Sequence, residues 1–245
     1  MTPKRRWSNL EIVQSEGMGQ PVFGVHCDEA NEFLPKYWGQ ARPYYAFRHQ
    51  GRGGKRVKLD RVEDIAVHFI RELKEARPEG PYLFCGYSFG GLIAYEMARQ
   101  LRAEGHSVPF LALIESYAPV VHAESLRTDM PVHYRAKRAA MRTLVKPFLH
   151  GDRKIPSRLH HFHIIETYER AVAAYKPKPY QGQLIVLKAE EAWGPDDLGW
   201  QGFAHGGLET VVVPGDHHSA ITEPHVEVLA ALLHERIIVA EQRIT

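Results

Sequence analysis

Ser88 stands in Gly86-Tyr87-Ser88-Phe89-Gly90, between the apolar run Tyr82-Leu83-Phe84-Cys85 and the helix-forming stretch Leu92 to Ala98. Gly-x-Ser-x-Gly at a strand-to-helix junction is the pattern of a nucleophile elbow. Its glycines let strand and helix approach closely while the serine takes a strained backbone angle that projects its hydroxyl. The first N–H groups of the helix, that of Phe89 foremost, then face the same point and can hold the negative oxygen of a tetrahedral intermediate.

A serine hydroxyl is a weak nucleophile until a base takes its proton, and the base needs an acid to fix its tautomer. Behind this elbow the chain order is Ser, then Asp or Glu, then His. Of the 15 histidines, His217 is best placed as the base, in Pro214-Gly215-Asp216-His217-His218, past the last expected strand and before the last helix. His218 is the alternative. Glu115 closes the strand after the elbow helix, in Leu113-Ile114-Glu115-Ser116, where a carboxylate needs a partner for its charge and an imidazole N–H supplies one. Glu190, Glu191, Asp196 and Asp197, past the following strand, are the alternative acids. His160, His161 and His163 lack a Cys or Asp at ligand spacing, so no metal site is expected there. His26 is read as shaping the loop after its own strand.

These groups need a scaffold. Leu10 to Ser15 alternates as an outer strand, and Pro21 to His26 is the short apolar run that a doubly covered sheet requires. Cys27 to Phe33 is an acidic loop or helix start, Tyr44 to Arg48 a strand, and His49 to Gly54 a turn. From Val62 to Ala76, the residues Ile65, Phe69, Ile70 and Leu73 share one helical face, with Glu63 and Asp64 favouring its N-terminus. Pro78 to Pro81 ends that helix. The elbow helix runs through Arg102 to a left-handed cap at Gly105, and Val108 to Glu115 is the next strand. Val120 to Tyr175 is charged, lacks a strand pattern, and carries helical stretches over 132–148 and 157–175. Strands resume at Gln183 to Ala189 and Glu209 to Val213, before a closing helix from Pro224 to Val239 with Pro224 in its first turn. The alternation predicts an α/β fold, a parallel sheet with helices on both faces. It is expected to be a single domain over 1–245, with 120–175 inserted as a helical lid.

The chain has 245 residues, 44% hydrophobic and 24% charged, with a formal charge of +2. That length suits one large α/β domain, and that charge points to no nucleic-acid partner. Cys27 and Cys85 make no disulfide framework, no apolar run follows the basic start, and no span is long enough for a membrane. A cytoplasmic setting is expected.

Several stretches together carry a resemblance: Val22-Phe23-Gly24-Val25-His26, the elbow with Gly91-Leu92 and Ala94-Tyr95-Glu96-Met97-Ala98, Glu115-Ser116-Tyr117-Ala118-Pro119, Tyr175-Lys176-Pro177-Lys178-Pro179-Tyr180, Leu198-Gly199-Trp200, and Pro214-Gly215-Asp216-His217. In these the chain resembles the thioesterase domains that end non-ribosomal peptide synthetases and modular polyketide synthases. The resemblance implies an α/β-hydrolase fold with a helical lid. It also implies release of an acyl or peptidyl chain held as a thioester on the phosphopantetheine arm of a carrier protein. Ser88 would be the nucleophile, Glu115 the acid and His217 the base, with release to water or to an amine or hydroxyl. The arm belongs to the partner, and no cofactor of this chain is implied.

Two positions depart from that family. Glu115 stands where aspartate is general. Cys27-Asp28-Glu29-Ala30 replaces a small, glycine-rich loop that supplies the second oxyanion donor, by position the N–H of Asp28. A carboxylate about 4 Å from the oxyanion would oppose it by about 4 kcal/mol at an effective dielectric near 20, while one donor contributes about 3–4 kcal/mol. Asp28 or Glu29 is therefore expected to turn outward or to steer a cationic amine or substrate, with Cys27, Glu29 and Tyr87 as further candidates for contact with substrate or acceptor. Arg135, Lys137, Arg138, Arg142 and Lys146 recur as a basic helical surface suited to an acidic carrier. The competing functions are a freestanding editing thioesterase, a generic carboxylesterase or lipase, and a binding protein that keeps the fold with weakened chemistry.

Overall fold

In the computed structural model, which describes residues 7–126, 132–150 and 153–243, the apolar runs pair into one sheet. In chain order its strands are β1 (Leu10–Gln14), β2 (Val22–Val25), β3 (Tyr44–Phe47), β4 (Leu83–Tyr87), β5 (Phe110–Ile114), β6 (Leu184–Ala189) and β7 (Leu208–Val213). Their spatial order is β1-β3-β2-β4-β5-β6-β7. β1 pairs antiparallel with β3, and the other pairings are parallel. Every residue of β2, β4 and β5 is buried, as strands covered on both faces must be.

The helices are α1 (Ala30–Trp38), α2 (Val62–Ala76), α3 (Phe89–Ala103), α4 (Pro119–Leu126), α5 (Val132–Val145), α6 (Ser157–Ala174) and α7 (Val226–Gln242). Successive strand residues feed opposite faces. Phe84, Leu111 and Leu113 pack with Ile65, Phe69 and Ile93 of α2 and α3. Leu83, Cys85 and Ile114 pack with Leu34, Leu229 and Leu233 of α1 and α7. Each such side chain, fully buried, stabilises the fold by about 1.5–3 kcal/mol. Trp38 Nε1 donates to the Ala230 carbonyl at 2.8 Å and ties α1 to α7.

Two buried carboxylates tie the helix layer to neighbouring segments. Glu72 of α2 accepts the backbone N–H groups of Ser8, Asn9 and Leu10 at 2.7, 3.1 and 2.9 Å, which pins β1 to the helix layer. Burial works against ionisation of Glu96 in α3, yet hydrogen bonds from Arg99, Gln100 and Tyr175 outweigh it and hold the carboxyl below the usual range.

Between β5 and β6 the chain forms α4, α5 and α6, of which α4 was not anticipated. Regular helix in α5 stops at Val145 rather than running to Phe148, because Pro147 has no N–H to donate. α7 begins at Val226, so Pro224 precedes the helix instead of lying in its first turn. The basic surface expected on α5 is also corrected. Arg142 Nε meets Glu166 at 2.7 Å, and Arg138 bonds both Glu166 and Glu169, so these guanidinium groups join α5 to α6. Lys137 and Lys146 are exposed, and the side chain of Arg135 lies outside the described residues. Among the described residues no helix is long and apolar enough to cross a membrane.

Candidate active site

The carboxyl ends of the parallel strands face one crevice, the usual place for a site in such a sheet. The backbone there is strained. Among the described residues five non-glycine positions have positive φ, and four of them follow these strand ends: His26 (50°) and Asp28 (41°) after β2, Ser88 (51°) after β4, and Glu115 (48°) after β5. Such conformations cost free energy and persist where the surrounding structure imposes them. At the elbow that imposition is steric. A Cβ on Gly90 would lie 2.1 Å from the Val25 carbonyl oxygen, and one on Gly91 would lie 2.3 Å from Ser116 Oγ. Ser88 sits half-buried at the head of α3.

On one flank, Glu115 is fully buried and uses both carboxylate oxygens. Oε1 accepts the Ala189 N–H at 2.5 Å, and Oε2 lies 3.1 Å from His217 Nδ1. The Tyr87 hydroxyl donates to the His217 carbonyl at 2.7 Å, and its ring packs 5.1 Å from the imidazole. Burial, followed by the nearby Asp28, Glu115, Glu29 and Asp216 carboxylates, pushes the Tyr87 hydroxyl up, so it stays a neutral donor. His218 is exposed, with its ring nearly perpendicular to that of His217. The alternative acids are elsewhere: Asp196 pairs with Lys188, Asp197 accepts the N–H groups of Gly199 and Gln201, and Glu190 and Glu191 are exposed.

On the other flank, the Asp28 carboxylate does not stand free. Its Oδ1 lies 2.8 Å from Nε2 of His49, the second residue past β3. The His49 ring stacks on that of His26 at 3.8 Å. His26 is buried, neither of its ring nitrogens has a partner among the described residues, and burial with the neighbouring His49 pushes it well below the usual imidazole range. Phe89 stacks on Tyr168 of α6 at 4.1 Å, which closes this side. Both flanks and Ser88 line one cavity of about 530 Å³, roofed by Ile164, Ile165, Tyr168 and Val172 of α6.

Two expected contact residues are not part of it. Cys27 is fully buried and faces away, its Sγ 4.0 Å from that of Cys85, because the left-handed turns on either side rotate it into the core between β2 and α1. Glu29 is exposed and opens α1 with its carbonyl, which accepts the N–H of Glu32 at 2.9 Å. Tyr87 and Asp28 do line the cavity. His163 accepts the Val57 N–H at 3.1 Å, and His160 Nε2 lies 3.1 Å from the Lys55 carbonyl, so both are structural. Among the described residues no group of three or more His, Cys, Asp or Glu could hold a metal ion. His49 and Tyr168 escaped the sequence reading. The signal for His49 was its place directly behind a strand of a parallel sheet; Tyr168 had none beyond its helix.

The family model of the thioesterase domain matches residues 32–237. The chain belongs to that family. Relatives include the vanchrobactin synthetase VabF of Vibrio anguillarum, 32% identical over 198 residues, covering 76% of this chain and 7% of that protein. The atromentin synthetase nps3 of Serpula lacrymans var. lacrymans is 37% identical over 115 residues, or 45% of this chain and 12% of the synthetase. The chain thus spans a small part of the curated relatives it matches. Among solved structures, the NocB thioesterase domain in covalent complex with a fluorophosphonate nocardicin G analogue superposes with a TM-score of 0.72 at 22% identity, covering 94% of this chain and 99% of that one. The surfactin thioesterase domain SrfTE gives 0.63 at 14% identity, covering 94% and 96%. These likenesses establish the α/β-hydrolase fold of a thioesterase domain.

Proposed function

We propose that the chain is a single α/β-hydrolase domain that releases an acyl or peptidyl chain from the phosphopantetheine thioester of a carrier protein, through an acyl-Ser88 intermediate. The observation that carries this reading is the shared cavity of Ser88 and His217, with Glu115 behind the imidazole at 3.1 Å. Glu115 holds the proton on Nδ1 and leaves Nε2 of His217 as the base. Ser88 Oγ gives its proton to Nε2 and attacks the thioester carbonyl. The N–H groups of Phe89 and Asp28 receive the oxyanion. Collapse breaks the C–S bond, and the imidazolium returns the proton to the departing thiolate. Water, an amine or a hydroxyl then gives its proton to His217, attacks the acyl-Ser88 carbonyl, and releases the chain with Oγ reprotonated.

The segment 120–175 serves as the lid. α6 roofs the cavity, and the Arg138 and Arg142 bonds to Glu166 brace it from α5. The carrier protein is the partner, with its arm as substrate. A fluorophosphonate probe should label the protein at Ser88, and Ser88→Ala should abolish both labelling and turnover of acyl thioesters of a small thiol. Labelling that survives in Ser88→Ala, or a wild-type protein inert to probe and thioester alike, would refute this function.

A further inference from the structure

Strand order divides the cavity into two sides. Ser88 follows β4; Glu115 and His217 follow β5 and β7, while Asp28 and His49 follow β2 and β3. The acceptor must reach the acyl carbonyl from the imidazole side, since His217 takes its proton. Asp28 therefore borders the acyl chain rather than the acceptor. One of its oxygens accepts from His49, and Oδ2 has no protein partner among the described residues. His49 Nδ1 is buried without a partner. The imidazole with its proton on Nε2 leaves no buried N–H unpaired and leaves the carboxylate its charge. No Lys or Arg lines this cavity among the described residues to compensate it. His26 lines the same cavity beside Asp28, with both ring nitrogens buried and unpartnered among the described residues.

We propose that the Asp28 side of the cavity, with His26 beneath it, binds a cationic group of the acyl chain, an ammonium close to the thioester carbonyl, so that the preferred substrates are aminoacyl thioesters. The inference rests on the acyl-Ser88 reading and names its substrate class. An ammonium donates to Asp28 Oδ2, which has no protein donor among the described residues. It also relieves the cost of a carboxylate beside the oxyanion, because the cation screens the charge when the tetrahedral intermediate forms.

The experiment compares kcat/KM for thioesters of N-acetylcysteamine in isosteric pairs: 2-aminopropanoyl against 2-methylpropanoyl, and 3-aminopropanoyl against butanoyl. In each pair ammonium replaces methyl. The wild type should prefer the cationic member of at least one pair by about tenfold or more, the range of a hydrogen bond to a charged group. Asp28→Asn should bring that ratio near one, and Glu29→Gln, outside the cavity, should keep it. A wild-type ratio near one in both pairs, or a ratio that survives Asp28→Asn, overturns the proposal. Calorimetric binding of the same pairs to Ser88→Ala reads recognition without turnover. Cation-selective binding in a protein whose wild type turns over no thioester would sink the thioesterase function and uphold the cation site. Equal binding of both members would sink the site alone.

Discussion

Replacing Glu115 with glutamine tests the proton path without changing the shape of the site. The carboxylate spans two donors, Ala189 N–H at 2.5 Å and His217 Nδ1 at 3.1 Å. In Glu115→Gln the amide oxygen must keep the Ala189 N–H, since turning the NH₂ there would set two donors face to face. The NH₂ then meets His217 and stabilises the tautomer with its proton on Nε2, which cannot take a proton from Ser88. The expected loss is about 10³–10⁴-fold in acylation, or about 4–5.5 kcal/mol of barrier. The assay is acyl-enzyme formation followed by intact mass after rapid mixing with a thioester, beside a thermal melt. Glu115→Asp keeps the charge but draws the carboxylate back by one methylene, so one of the two bonds lengthens; about 10²-fold loss is expected from a displacement near 1 Å. A Glu115→Gln protein that melts as the wild type and acylates within tenfold of its rate would refute the role given to Glu115.

Two further perturbations address the lid and the buried imidazole. Glu166→Ala removes the carboxylate, 6% exposed, that Arg138 and Arg142 share. Because Arg142 is 59% exposed and Arg138 keeps Glu169, the cost should fall to about 2–3 kcal/mol, below that of breaking a fully buried pair. It should appear as a lower melting temperature and faster hydrogen exchange in α5 and α6, and unchanged exchange would count against the brace. His26 is held below the usual imidazole range by burial first and His49 second. Its unfolded form therefore gains a proton below a pH of about 6.5 while the folded form does not, so stability falls as pH drops through that window by up to about 1.4 kcal/mol per pH unit. Urea unfolding of His26→Phe at pH 6.5 and 5.5 should show a correspondingly smaller fall than the wild type, the residue left coming from His68, His122, His163 and His234, also lowered by burial. An identical fall in both proteins would refute this account.

Much of the fold could be read directly from the chain, because it depends on local pattern. α2 runs from Val62 to Ala76 as its apolar stripe marks it, and the buried strands around Ser88 follow their uninterrupted hydrophobic runs. That Glu115 and His217 would meet was legible for a different reason: a parallel sheet brings strand ends to one edge, so order along the chain stands in for position in space. What escaped the sequence depends on partners far away in it. Arg138 and Arg142 look like a free basic face until Glu166 and Glu169 pack against them from another helix. Asp28 looks unsupported until β3 delivers His49 beside it. Cys27 looked like a loop residue at the site because no hydrophobic pattern reveals that the residues on either side of it, His26 and Asp28, would both adopt left-handed backbone angles.

The placement of β4 between β2 and β5 also has an evolutionary reading. The turns behind β2 and β3 lie on one side of the serine, and Glu115 and His217 follow strands on the other. Side chains at 28 and 49 can therefore change, retuning which chains are accepted, while the backbone N–H at 28 and the residues past β5 and β7 stay as they are.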